Sequence, residues 1–288
     1  MYFDSYLFLQ TLLFGIFYYG CTYVLLSLGL NLVFGVTKIF FLAYGEIVSI
    51  TTYGIYWITT LLTSNPYIAA LLMSPIILLI IFPLERFCFR RVAGKPSNSL
   101  LVNLGLILFF ENFIIYTWGS IPKRVVSPIE SLIFGSGPLT INSDQLLIVI
   151  TTVICTIVLQ MFIRRTKTGK ALRAIAQDSE GAMLVGINPY KMSQISFILC
   201  SLIACTAGLF VSFRYVAPTQ GGLLSFKALT VVIVGGLGNF IGGIIAGIIL
   251  GCVEALASMI LGGFWSNAIV FIALTIILAM KPKGILGG

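Results

Sequence analysis

Few side chains in this sequence can do chemistry, and the types that are missing narrow the options quickly. The chain has no histidine. Its six cysteines, Cys21, Cys88, Cys155, Cys200, Cys205 and Cys252, never form a CxxC pair, so neither a zinc site nor a redox centre is expected. They read instead as small apolar fillers. No Gly-x-x-x-x-Gly-Lys-Ser/Thr loop occurs, so the chain is not expected to hold a nucleoside triphosphate through a P-loop of its own. No catalytic residue, metal ligand or resident cofactor is assigned. What remains is three carboxylates inside apolar runs, Glu46, Glu111 and Glu254. A charge near the middle of a bilayer costs about 2.5–3.5 kcal/mol on insertion scales. Each of the three must therefore face the protein interior or water, or be protonated. Two roles follow: hydrogen bonding to a neighbouring helix, or contact with a polar solute on its way through. Glu46, with Tyr44 and Gly45 beside it, is the strongest candidate for the second.

The elements that position these groups follow from composition. Of 288 residues, 59% are hydrophobic and 9% charged, with a mean hydropathy of +1.08. A soluble domain carries about 25% charged residues, so a soluble enzyme, a nucleic-acid binder and a disordered chain are all excluded. About 20 apolar residues cross a bilayer as a helix. The expected fold is all-α, a single polytopic transmembrane bundle over 1–288 with about eight membrane segments: 7–30, 39–62, 67–84, 99–118, 145–163, 192–213, 228–250 and 252–280, the last interrupted by Gly262-Gly263. The net charge of +8 sits in short loops, where it orients a membrane protein rather than binding nucleic acid. Basic loops 85–95 and 164–191 are expected to be cytoplasmic. Loop 119–144, with Pro122, Pro128, Gly135, Gly137 and Pro138, is then outside. The tail Lys281-Pro282-Lys283 also asks to be cytoplasmic, and counting backward puts the N-terminus outside. The first basic residue is Lys38, so no ordinary cleavable signal peptide is read. Between Lys191 and Lys281 an even number of crossings is needed, yet three apolar blocks are visible. One should be a half-helix or re-entrant piece, which is tolerated where it is buried in protein or lines a cavity. The glycine-rich break at 235–243 is the best place for it.

That break belongs to a stretch holding seven glycines between Gly235 and Gly251. It reads GxGxxxG within an apolar segment and is not a dinucleotide fingerprint. Gly243, Gly247 and Gly251, followed by Ala255, repeat every four residues and make a small-residue face for close helix packing. Gly235, Gly236, Gly238 and Asn239 are too flexible for a regular helix without support. They read either as packing elements or as a discontinuous helix beside a translocation path, together with Tyr44, Gly45 and Glu46. The second basic loop reads as a short helix over about 169–187, with apolar Leu172, Ile175, Ala176 and Met183 on one side, ended by Asn188-Pro189. Within it, Glu180, Gly181, Ala182 and Gly186 follow the spacing EAAxxxG. That spacing marks the helix by which importer permeases of the ATP-binding cassette class dock onto their ATPase subunit; Arg173 and Asp178 join it as coupling residues.

Four stretches carry a wider likeness: LGLNLVFGVTKIFFLAYGEIV, TKTGKALRAIAQDSEGAMLVGIN, LTVVIVGGLGNFIGGIIAGIILGCVEAL and the terminal KPKGILG. In this order they resemble the inner-membrane permeases of branched-chain amino acid ABC transporters, the Liv-type, from about residue 28 to the end. The segment 100–160 contributes little. The resemblance implies a bacterial inner-membrane permease that moves branched-chain, hydrophobic amino acids by alternating access. It implies two ATPase subunits that spend the ATP, an extracytoplasmic binding protein, and a second permease as partner in a heterodimer. One departure bears on substrate. Where the family usually reads Asn-Phe-Ala-His-Gly-Glu/Asp, this chain has Phe41-Leu42-Ala43-Tyr44-Gly45-Glu46. Urea, short amides and sugars are cargoes of related permeases and stay open as alternatives, and so does a secondary transporter that works without an ATPase. On the first reading, half-helix N-termini at the glycine breaks would meet a substrate carboxylate and Glu46 its ammonium.

Overall fold

Hydrocarbon about 30 Å thick offers no partner to a backbone amide, so a chain with this much apolar length must satisfy its hydrogen bonds within helices. The computed structural model describes residues 5–92, 95–128, 133–134, 141–214, 216–281 and 284–285. Helix α1 (Ser5–Phe14) passes through a π-helical turn, Gly15–Gly20, into α2 (Cys21–Thr37). Helix α3 spans Tyr44–Leu61, and α4 (Pro66–Leu84) continues through a second π-helical turn, Glu85–Phe89, into α5 (Arg90–Val92). Then come α6 (Pro96–Trp118), α7 (Ser143–Arg165), the short α8 (Lys167–Gln177) and α9 (Ser179–Leu184), and α10 (Pro189–Ser212). The last three are α11 (Gln220–Gly235), α12 (Phe240–Leu261) and α13 (Gly263–Met280). Two two-residue strands, β1 (Ile133–Phe134) and β2 (Ile141–Asn142), pair antiparallel. Among the described residues, six helical stretches are long and apolar enough to cross a membrane, and two shorter apolar helices accompany them. The protein is an all-α, multi-pass membrane bundle.

The C-terminal third differs from the expectation of three apolar blocks. It holds four helices, α10 to α13. Gly262, at φ +82°, divides the last block, and Gly236 and Gly238, at φ +99° and +80°, divide the one before it. Those angles are open to glycine at no steric cost, so each break is a true turn and not a kink within one helix. Both turns fall at glycine breaks visible in the sequence, although the hydrophobicity runs on through them. The chain returns to where α11 ends: the Ile285 amide donates to the Val234 carbonyl at 2.7 Å. Pro282, Lys283 and the end of the terminal motif lie outside the described residues, as do Gly135, Gly137 and Pro138 of the long loop. Helix α11 is the short member. Its 16 residues reach about 24 Å at 1.5 Å per residue, less than the hydrocarbon thickness.

Helices α2 and α10 form the centre, with α3, α11 and α12 packed against them. On the outer surface, α4, α6 and α7 turn Leu79, Leu101, Leu108, Phe109 and Val158 outward, as helices bathed in lipid do. The bundle has two distinct ends. At one, the Lys38 ammonium donates to the Ala176 carbonyl at 3.0 Å and the Ser193 hydroxyl to the Glu85 carboxylate at 2.9 Å. This basic end gathers α5, α8, α9 and the start of α10. At the opposite end, Lys123 and Val216 exchange backbone hydrogen bonds and the Tyr53 hydroxyl donates to the Val216 carbonyl at 2.7 Å.

Candidate substrate path and coupling surface

At the basic end the loop helix is broken in two. Thr166 caps α8 by accepting from the Gly169 amide at 2.9 Å, and Gly169 lies so close to Phe162 and Ile163 that a Cβ there would strike their backbone. Leu172 and Ile175 are buried. At Asp178 the backbone becomes extended, φ −147° and ψ 107°, and its carboxylate accepts from the Glu180 amide at 3.0 Å to start α9. Because the break resets the helical phase, only part of the expected apolar face turns inward: Leu172 and Ile175 do, Met183 is exposed, and Ala182 is buried in its stead. With Leu184 at 90% and Val185 at 75% exposure, the tip of α9 is an apolar knob. Gly186 ends it at φ +83°. Glu180 and Arg173 lie on the exposed surface, and an Arg173 Nη2 donates to the Arg164 carbonyl at 3.4 Å. Gly181 sits against the Asp178 carboxylate.

Next to this module is a cavity of about 530 Å³ lined by Asn31, Gly35, Arg164, Arg173, Gln177 and the Gly238-Asn239 turn. The Gly238 amide donates to the Asn31 side chain at 2.9 Å, and Asn239 caps α12 by accepting from the Gly242 amide at 3.1 Å. Gly235 is pressed against Gly242 and Gly243 across the turn. The four-residue repeat then lies along α2 and the π-helical turn that precedes it. A Cβ on Gly243 would meet Ser27 and Asn31, one on Gly247 would meet Tyr23 and Val24, and one on Gly251 would meet Tyr19 and Gly20. Ala255 reaches Gly15, so the small-residue face continues to the π-helical turn.

Tyr44, Gly45 and Glu46 form the first turn of α3, tied down from α6 by Asn103. Its side chain accepts from the Ala43 amide at 3.1 Å and donates to the Phe40 carbonyl at 2.8 Å. The Gly45 amide donates to Ser225 Oγ at 2.8 Å, and a side chain at Gly45 would collide with Gly221 and Ser225 of α11. Glu46 is fully buried, its carboxylate lying on Gly221 in the first turn of α11. The Gly222 backbone amide lies near its carboxylate, and Glu111 of α6 is near enough to interact electrostatically. A helix N-terminus carries partial positive charge, and here the protein's own carboxylate occupies it. Glu46 and the Gly235–Asn239 turn do not share the lining of any cavity described here. Glu254 is different. It is buried in α12 and accepts from the Lys227 ammonium of α11 at 2.7 Å.

That pair lines a second cavity, of about 250 Å³, at the opposite end, with Tyr18, Tyr19, Tyr23, Arg214 and Leu223 among its walls. The Arg214 guanidinium stands over the rings of Phe14, Tyr18 and Tyr19 at 5.4, 5.1 and 5.0 Å. The sequence drew attention to Glu254 but not to Lys227 or Arg214. Lys227 immediately precedes the apolar run that begins at 228, so it reads as the end of a loop, whereas α11 begins at Gln220 and carries Lys227 in its second turn. The missed signal is one cation and one carboxylate on consecutive apolar helices joined by a glycine turn.

A family model described as "Branched-chain amino acid transport system / permease component" matches residues 12–280. The permease protein LivH of the high-affinity branched-chain amino acid transport system of Salmonella typhimurium is 31% identical over 283 residues, covering 93% of this chain and 92% of that protein. BraD, the corresponding permease protein of Pseudomonas aeruginosa, is 29% identical over 299 residues, with 99% and 97% covered. The fructose import permease protein FrcC of Rhizobium meliloti is 29% identical over 167 residues, 56% of this chain and 46% of that protein.

Proposed function

Because the chain belongs to the branched-chain amino acid transport permease family, we propose that it is the membrane-spanning subunit of an ATP-driven importer whose cargo is branched-chain, hydrophobic amino acids. On this reading two ATPase subunits bind at the basic end, a second permease completes the pore, and an extracytoplasmic binding protein delivers substrate to the opposite end. The basic loops 85–95 and 164–191 and the C-terminus face the cytoplasm of the inner membrane, in keeping with the positive-inside rule. This chain hydrolyses no ATP itself.

The observation that carries the reading is the α8–α9 module. Its apolar knob, Leu184 and Val185, points away from the bundle, while Lys38 ties the back of α8 to the end of α2. Helix α2 in turn touches α10, α11 and α12. Movement of a partner against the knob therefore reaches the central helix directly, which is the two-state element biased from a distant site that coupling requires. The glycine face of α12 lets that helix slide on α2 with backbones in near contact. Co-purification tests the reading. The ATPases should remain with the detergent-solubilised wild-type permease and be lost from Leu184→Asp, and uptake should fall at least tenfold in Gly186→Val. If no ATPase accompanies the wild-type protein and both variants transport normally, the chain works as a secondary carrier. The likeness to a fructose permease, together with the departure at Phe41–Tyr44, keeps a small polar solute as a second reading. Competition of labelled leucine uptake by urea, short amides and fructose separates the two.

A further inference from the structure

We propose that the cavity at the end opposite the basic loops is a binding site for a zwitterionic α-amino acid, in which the Lys227 ammonium takes the substrate carboxylate and the Glu254 carboxylate takes its ammonium. The inference rests on the reading that this chain carries amino acids, and it locates a site for them. Four observations support it. First, the pair is buried between two membrane helices, with 11% and 4% side-chain exposure. Charges in that position are expensive and mark functional sites. Second, the pair is incompletely satisfied: Glu254 Oε2 and the Tyr23 hydroxyl are buried without a hydrogen-bond partner among the described residues, leaving acceptor and donor capacity for a further polar group. Third, the opposed charges are 2.7 Å apart, and a zwitterion presents the complementary arrangement. Its insertion replaces one ion pair by two and adds no net charge to the site. Fourth, one side of the remaining wall is apolar or aromatic, with Val211, Leu223, Leu224 and Tyr19 placed to receive an aliphatic side chain, while Thr22, Gln220, Ser266 and Asn267 make the rest of it polar.

Size and access agree with a small ligand. The cavity holds about 250 Å³, below the roughly 300–1,000 Å³ of sites for drug-sized molecules. Arg214, exposed and braced by three aromatic rings, lies at the rim, where a fixed cation draws in a carboxylate. Lys227 lies 5.8 Å from the Tyr23 ring, so the ring face can hold the ammonium while the pair opens. Glu46, by contrast, is sealed against Gly221 and offers no comparable approach in this conformation.

The test uses the assembled importer in proteoliposomes with one fixed binding protein, so any change between variants reports the permease. Replacing both charges, Lys227→Met with Glu254→Met, removes the pair without leaving a lone buried charge, a change that folded proteins often tolerate. Each lost charge-assisted contact is worth roughly tenfold or more in affinity. Leucine uptake by the double variant should therefore fall about 100-fold, although the protein still elutes as a single species with its ATPases. Uptake at the wild-type rate by that assembled variant overturns the proposal. Should the double variant fail to assemble, Leu223→Trp decides. Its side chain is already exposed to the cavity, so it fills the space without removing a buried contact. A tenfold or greater loss of uptake supports the site, and unchanged uptake overturns it. If the wild-type importer moves no amino acid at all, the functional reading fails first and the site falls with it, an outcome distinct from either variant result.

Discussion

Glycine has opposite consequences at positions only ten residues apart. Gly35 has nothing within 4 Å of where a Cβ would stand, whereas a Cβ on Gly45 would collide with the Gly221 carbonyl and the Ser225 backbone of α11. Gly35 lies inside α2, where alanine is favoured over glycine by about 0.5–1 kcal/mol. Gly35→Ala should therefore leave the thermal midpoint in detergent unchanged or slightly raised. Gly45→Ala should lower stability by about 1–3 kcal/mol, the cost of overpacking a tight contact, and a midpoint equal to that of Gly35→Ala would show that α3 and α11 do not meet as described. The sequence marked Gly45 but could not show what it meets, because the neighbour that matters, Gly221, lies 176 positions along the chain. The same distance problem explains Lys227. Each carboxylate was visible as an exception to an apolar run, while its partner was a matter of which helices pack together.

At the scale of elements, the α8–α9 module shows how a local signal is legible and its geometry is not. The EAAxxxG spacing and the basic loop were readable at Glu180–Gly186, but the division into α8 and α9 depends on the Asp178 carboxylate bonding to the Glu180 amide at 3.0 Å in place of continuing a helix. Asp178→Ala should remove that cap, at a cost of about 1 kcal/mol to α9. ATP hydrolysed per leucine imported should rise, because a frayed knob transmits less of each ATPase cycle. An unchanged ratio would place the coupling elsewhere. The turns at Gly236–Asn239 and Gly262 were legible only as glycine clusters. Hydropathy averages over a window longer than a two- to four-residue turn, so two helices joined tightly read as one block. Once separated, α11 is too short to span the hydrocarbon by itself, and it carries Lys227 while receiving Glu46 at its first turn.

For the molecule as a whole, composition alone established a membrane bundle, and the charge distribution predicts a direction for it. That direction can be measured with single cysteines in a background where the six natural ones are replaced by serine. Val185→Cys, on the knob, should react with a membrane-impermeant maleimide only in inside-out vesicles. Val126→Cys, exposed at the other end, should react only in right-side-out ones; the reverse pattern would invert the orientation. With that direction fixed, the central claim is that the chain is the conduit of an ATP-driven amino acid importer, with energy supplied at one end and substrate at the other. The measurement that bears on it most directly is uptake of labelled leucine into proteoliposomes holding this permease, its partner permease and the ATPases, with binding protein outside and ATP inside. Uptake against a gradient should require ATP and binding protein together and should stop in Gly186→Val. Accumulation of equal extent without ATP, or none with all components present, would contradict the account.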